Sequence, residues 1–331
     1  MVTHYCCSRV IKEAAALKDG GDHWIGVLTN KKGAAPVFDG VYYYNDIATF
    51  ERQVRRIKAD IYHCHNEPNW PTEVTLRINP GPVIYDVHDL DFVRFGGPAD
   101  WEMGLVGRAD GVIVPCRSYQ KALGDKGAVV YTMVPRGYIH WNSRPEDGMI
   151  MAGHVRNNDP RAAWLDYRDV CLRFRKAWKP LFIQPSDEKQ DTKFENSAAH
   201  VLRTASYDGM MHNIRRFRWG LCSGGVPNPQ SDMSMPNKLF EYLVSGTVPV
   251  VMWEREAAEY VTKYGVGVVL AEPEDAPKKL TEKAWKDCRR NLKRLQDTFT
   301  METQVGAILR TYGEAKERWA KSGQAPGTTR Q

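Results

Sequence analysis

Short apolar runs alternate with amphipathic stretches along the first part of the chain, and this rhythm restricts the fold more than any other feature. Strand-like runs at 4–7, 24–28, 41–44, 60–64, 83–87 and 111–114 are separated by helical patterns at 10–17, 47–58, 72–77 and 99–108. The runs are apolar throughout rather than half-polar, as strands buried on both faces by crossover helices must be. After a last strand at 129–131, Pro135, Gly137, Asn142, Pro145 and Gly148 break the periodicity and read as a connection. A second set follows, with strands at 149–152, 181–184, 219–222, 247–253 and 266–270 and helices at 162–178 and 236–245. The expected architecture is α/β, two Rossmann-like domains with parallel sheets facing a cleft. Its boundaries fall at 1–145 for the first domain and 146–305 for the second. A helix over 306–321 is expected to pack back across both, and the polar tail 322–331 to be disordered.

A chain of 331 residues exceeds what a single core usually holds, in keeping with two domains. No run approaches the ~20 apolar residues of a membrane-spanning helix, and no basic-then-apolar leader opens the chain, so a cytoplasmic protein is expected. The seven cysteines are odd in number, scattered and without a CxxC pair, which suggests reduced thiols. Neither they nor the neighbouring His63, Cys64 and His65 have metal-ligand spacing, and no metal is expected. The net charge of +6 favours anionic partners without choosing among them. Lys278, Lys279, Lys283, Lys286, Arg289, Arg290, Lys293 and Arg294 recur along a C-terminal helix, where interspersed acids make a solvated face the simpler reading.

Chemistry concentrates in PNKLFEYLVSG, residues 236–246. Pro236 suits a first helical turn, Ser234 is available as a cap, and Gly246 stands where a left-handed terminal residue is wanted. Leu239, Phe240, Leu243 and Val244 make the apolar face; Lys238 and Glu241, three apart, share a polar one. The helix start offers unpaired amides and a positive dipole to an anion, and Lys238 adds a charge in the same turn. One turn on, Glu241 can accept two hydroxyl hydrogen bonds, the demand of a ribose. The same residues also fit a plain amphipathic helix with a solvated Lys–Glu pair.

The segment PNKLFEYLVSGTVPVV resembles the donor-site signature of retaining GT-B glycosyltransferases. Other segments resemble that group in the expected order: ADIYHCH (59–65), VIYDVHD (83–89), ADGVIVP (109–115) and the Gly153 to Arg156 stretch. The resemblance implies a nucleoside diphosphate sugar as co-substrate, UDP-sugar foremost, with no metal required. Glu241 would hold the ribose; Asn237, Ser234, Lys238, Arg156 and Arg161 would hold the diphosphate. Met233 stands where many members carry an acid, with Asp232 beside it.

His65 and His88 end successive parallel strands, the edge at which such sheets place ligands. The resemblance puts His88 at the reacting centre with Arg156 and Lys238 offsetting leaving-group charge. His65, Asn66, Glu67, Asp89, Asp91 and Arg94 become candidates for the acceptor pocket. The expected reaction is glycosyl transfer to an acceptor hydroxyl with retention, the acceptor being a small molecule, a glycan or DNA. A viral-type enzyme acting on hydroxymethylated bases in DNA is one alternative, for which Arg52, Arg55, Arg56 and Lys58 form the best local patch in a nearly neutral first domain. A non-catalytic nucleotide-binding module and a sugar-nucleotide epimerase are the others.

Overall fold

A computed structural model describes residues 1–31, 36–157, 160–188, 194 and 198–322, with 160–162 described by backbone alone. The chain divides into two compact units, Met1–Thr132 with Met301–Gln331, and Met133–Thr300.

In the first unit α1 (Ser8–Asp19), β1 (Gly26–Thr29), β2 (Gly40–Tyr43), α2 (Ile47–Arg56), β3 (Tyr62–His65), α3 (Trp70–Ile78) and β4 (Val83–Asp86) follow in turn. They continue through α4 (Asp91–Arg94), α5 (Asp100–Arg108), β5 (Gly111–Val114), α6 (Arg117–Ala122) and β6 (Ala128–Val129). Strands β3 to β6 pair in sequence order and in parallel, as do β1 and β2. Val2 bridges both Leu28 and Cys64, so it joins the two sheets. The first strand position is thus residue 2, not 4–7; Thr3 and Tyr5 already fold into a local turn, with Thr3 Oγ1 donating to the Tyr5 carbonyl.

In the second unit the order is β7 (Glu146–Gly153), α7 (Arg168–Ala177), β8 (Leu181–Pro185), β9 (Ala199–Val201), α8 (Tyr207–Ile214), β10 (Phe217–Cys222) and α9 (Pro229–Met233). Then come α10 (Asn237–Ser245), β11 (Val248–Val251), α11 (Arg255–Tyr264), β12 (Val268–Val269), α12 (Ala276–Lys279) and α13 (Glu282–Leu295). The sheet is parallel, in the order β12-β11-β10-β7-β8-β9. The helix expected over 162–178 is a 3-10 turn followed by α7, and α8 and α11 were not anticipated. The last helix, α14 (Val305–Lys321), returns to the first unit and packs on β4, β5 and β6, its Thr311 and Ala315 lying against the flat of Gly111.

The boundaries therefore differ from those expected. Val134 bridges Thr300, and Trp141 lies on Gly246 and donates to the Val244 carbonyl, so the supposed connection at 135–145 is packed into the second unit. Met301 is buried in the first unit, where Gln304 accepts from the Tyr131 amide, so the return starts earlier than 306. The tail beyond Ser322 lies outside the described residues, as do Asn158 and Asp159. Among the described residues no helix is long and apolar enough to cross a membrane, and none of the seven cysteines is in a disulfide.

Candidate functional site

Two polar sites lie at carboxyl-terminal strand edges, one in each unit. In the second unit Tyr242 positions the site: its ring lies flat on Gly220, where an added Cβ would come within 2.6 Å of it. Its hydroxyl accepts from the Ala152 amide at 3.1 Å and donates to the Leu221 carbonyl at 3.1 Å. That pins α10 across β7 and β10. Gly246 closes the helix at φ +70°, the left-handed conformation expected of it.

The start of α10 has no side-chain cap. Ser234 is instead the residue that ends α9, and its hydroxyl donates to the Ser231 carbonyl, because Met235 and Pro236 intervene in extended chain. Asn237 is exposed on the first turn. Lys238 runs past Gly153 and donates through Nζ to the Tyr167 hydroxyl and the Ser223 carbonyl, both at 3.2 Å. Desolvation opposes its charge, but Tyr167, Tyr242 and Glu254 more than offset this and hold the ammonium above its ordinary range. Glu254, buried beside it, is pushed up to about 7 by burial, an effect that Lys238 partly counters. This acid had no signal in the sequence beyond its place just after a strand.

One turn into α10, Glu241 is 7% exposed and accepts from the Tyr207 hydroxyl at 3.2 Å. Burial and that carboxylate together raise Tyr207 far above the usual phenol range, so it stays a donor. Tyr138 meets Tyr207 edge to face at 5.3 Å. Gln184, near the end of β8, is spent on protein: it accepts from Asn213 and donates to the Arg203 carbonyl. Arg156 is exposed after β7; partial desolvation, with Arg156 and Lys238 adding to it, lowers the pKa of the nearby His154. Asp232 turns to the surface to pair with Arg255 at 3.1 Å. The side chain of Arg161 lies outside the described residues.

In the first unit HCH places His63 and His65 on one face of β3, their rings stacked at 4.3 Å. Asp86, the register partner of His65 on β4, stands between them and α1. From α1, the i,i+4 pair Arg9 and Glu13 faces the same point. Arg9 donates to Asp86 Oδ1 at 3.0 Å and to the Val130 carbonyl and Thr132 hydroxyl at 2.8 Å. Glu13, His63, His65 and Asp86 offer atoms within 4.8 Å of one another, near enough to share a cation, and the Arg9 guanidinium already provides one. Burial pushes Glu13 well above the carboxyl range, with Asp86 adding to it, whereas Arg9 holds Asp86 well below. Within the cluster Arg9 and Asp86 are thus held together as an ion pair, and Glu13 is the carboxyl whose protonated form burial favours.

The histidines follow from this. His63 donates to Asp86 through Nε2 at 3.0 Å, so its Nδ1 accepts from Tyr312 at 2.7 Å. His65 Nε2 is buried without a partner and is best left bare, so its Nδ1 carries the proton toward His88 Nε2 at 3.0 Å. His88 is then protonated at Nδ1, and burial drops its pKa to about 4. His65 and Asn66, expected to line a pocket, are buried instead; Asn66 accepts from the His88 amide and donates to the Asp89 carbonyl. Glu67, Asp89 and Arg94 are partly exposed and linked, Arg94 pairing with both acids, while Asp91 accepts from Asn69. The contributions of Arg9, Glu13 and Asp86 were missed because charged residues scattered over helix and strand read singly as solvent-facing.

No protein-family model matches the chain, and no curated protein matches it. Solved structures do, and they show the fold to be that of GT-B glycosyltransferases. Anabaena HepE, solved in complex with UDP and glucose, matches with a TM-score of 0.69 at 12% identity, over 94% of this chain and 99% of that one. A glycosyltransferase from Rickettsia africae matches at 0.66 and 10% identity, over 95% and 97%. A sucrose-phosphate synthase from Thermosynechococcus elongatus matches at 0.67 and 12% identity, over 95% and 93%.

Proposed function

We propose that the chain is a glycosyltransferase that moves a sugar from a nucleoside diphosphate sugar, UDP-sugar foremost, to an acceptor hydroxyl with retention. The observation that carries this reading is the start of α10: uncapped amides, a Lys238 held protonated at its first turn, and Glu241 one turn on beside Tyr207. An anion and a ribose linked at that spacing describe a nucleotide. The binding of UDP and glucose by HepE, which shares the fold, supports it.

In this reading Lys238, Arg156 and the α10 dipole stabilise the departing diphosphate, the term that dominates when charge develops on a leaving group. Glu241 takes the ribose hydroxyls, with Tyr207 keeping the carboxylate oriented. His88, uncharged at neutral pH, acts as a hydrogen-bond donor rather than an acid. Glu67, Asp89, Asp91 and Arg94 are the acceptor-side candidates.

The test is a mass-spectrometric screen of UDP-, GDP-, ADP- and CMP-sugars, alone and with small-molecule, glycan and DNA acceptors. Transfer, or slow donor hydrolysis, supports the reading. A changed sugar with no acceptor would identify an epimerase, and nucleotide binding without turnover a non-catalytic module.

A further inference from the structure

Basic residues on α13 looked like an ordinary solvated face in the sequence, and part of that face is one: Lys283 and Arg290 pair with Asp287, and Lys286 and Arg218 with Glu282. The structure adds a concavity. A groove of about 640 Å³ runs between α13 and the segment around Trp141, lined by Lys286, Arg289, Arg290 and Lys293 and by no carboxylate. The four cations lie at i, i+3, i+4 and i+7, on one side of two successive turns.

Arg289 is the unusual member. Its guanidinium is half-buried between two indole rings, 5.6 Å from the Trp141 centroid and 5.1 Å from that of Trp285. One nitrogen donates to the Asn142 carbonyl, and another, Nη1, is buried with no partner. Among the described residues no acid pairs with it, and a second guanidinium, Arg218, lies over the same Trp285 ring at 4.5 Å and opposes its charge. A half-buried positive charge stacked between two rings, with no carboxylate on it, presents its field to the groove.

We infer that this groove binds the sugar–phosphate backbone of a nucleic acid strand. Cations one turn apart along a trough suit a line of phosphates, whereas a bilayer would need the aromatic residues to protrude, and here Trp141 and Trp285 are partly buried beneath Arg289. The inference stands apart from the glycosyl-transfer reading, since no residue of the groove belongs to that site.

The test is fluorescence anisotropy of the full chain with labelled 20-nucleotide single-stranded and duplex DNA over a salt series. The expected result is binding whose log K falls against log salt with a slope of about −3, as four phosphate contacts give. The triple variant K286Q/R290Q/K293Q, which keeps good helix formers on exposed positions, should weaken binding at least tenfold and flatten the slope by about 2. Its thermal midpoint and its nucleotide-sugar affinity should match the parent, so that loss of DNA binding is not loss of fold. Absence of salt-dependent DNA binding would overturn the inference, as would unaltered binding by the triple variant. Binding of vesicles with anionic headgroups that depends on these residues, without DNA binding, would overturn it in favour of a membrane surface.

Discussion

Asp86→Asn and Glu13→Gln alter two carboxyl groups that meet the same buried guanidinium, yet the structure assigns them unequal costs. Arg9 is 3% exposed and its Nη2 lies 2.9 Å from Asp86 Oδ1, with Nε at 3.0 Å. Removing the partner of a buried charge typically costs about 3–5 kcal/mol. Glu13 Oε1 lies 3.0 Å from Arg9 Nε and can release its proton to take over part of the pairing, which sets the expected loss for Asp86→Asn near 3 kcal/mol, at the low end. Burial favours the protonated form of Glu13, and Gln matches that form in shape and charge, so the loss should stay under about 1 kcal/mol. The double variant leaves Arg9 with no acid at all and should cost more than the sum of the two. Urea unfolding at pH 7 reads this directly, since with m of about 1–3 kcal/mol/M a 3 kcal/mol loss moves the midpoint by about 1–3 M. If Glu13→Gln destabilised as much as Asp86→Asn, the reading that burial favours the protonated form of Glu13 would be wrong.

Glu241→Ala should raise the Kd for the nucleotide sugar about 100-fold or more, the loss of two charge-assisted hydrogen bonds of about 1.5–3 kcal/mol each, measured by calorimetry; unchanged affinity for every nucleotide would remove the donor-site reading. Gly220→Ala should lower the stability of the second unit by at least about 2 kcal/mol because its Cβ would enter the Tyr242 ring, whereas Gly104→Ala, in α5 with nothing within 4 Å, should raise the thermal midpoint slightly. His88 should titrate near pH 4 by NMR, with no inflection between pH 5 and 8. Because the unfolded histidine takes up its proton near 6.5, acidification from 6.5 to 4 removes stability from the first unit, on the order of 3 kcal/mol from this group. Glu254 acts the other way: burial raises its folded pKa to about 7 from an ordinary value of 4.5, so it withdraws stability from the second unit as pH rises from 4.5 to 7.

Local pattern alone determined the parallel α/β class, most strands, and the helix of 237–245 with its left-handed end at Gly246, because burial on two faces and the conformational freedom of glycine are written residue by residue. It also singled out Lys238 and Glu241, whose spacing on a helix fixes their common face. What the pattern could not reach was anything that depends on which elements meet. Ser234 looked like a cap from its distance in sequence, but extended chain separates it from the helix it was to cap. His65 and Asn66 looked like pocket residues from their place at a strand end, yet α1 delivers Arg9 and Glu13 onto that edge and turns His65 into a buried support for His88. The charges of α13 looked alike along the helix, and only the packing of Trp141 and Trp285 separated Arg289 from its exposed neighbours. Periodicity reports the faces of single elements, whereas the ionisation of a buried carboxyl or the field of an unpaired guanidinium is set by groups tens or hundreds of residues away, and only tertiary structure brings these together.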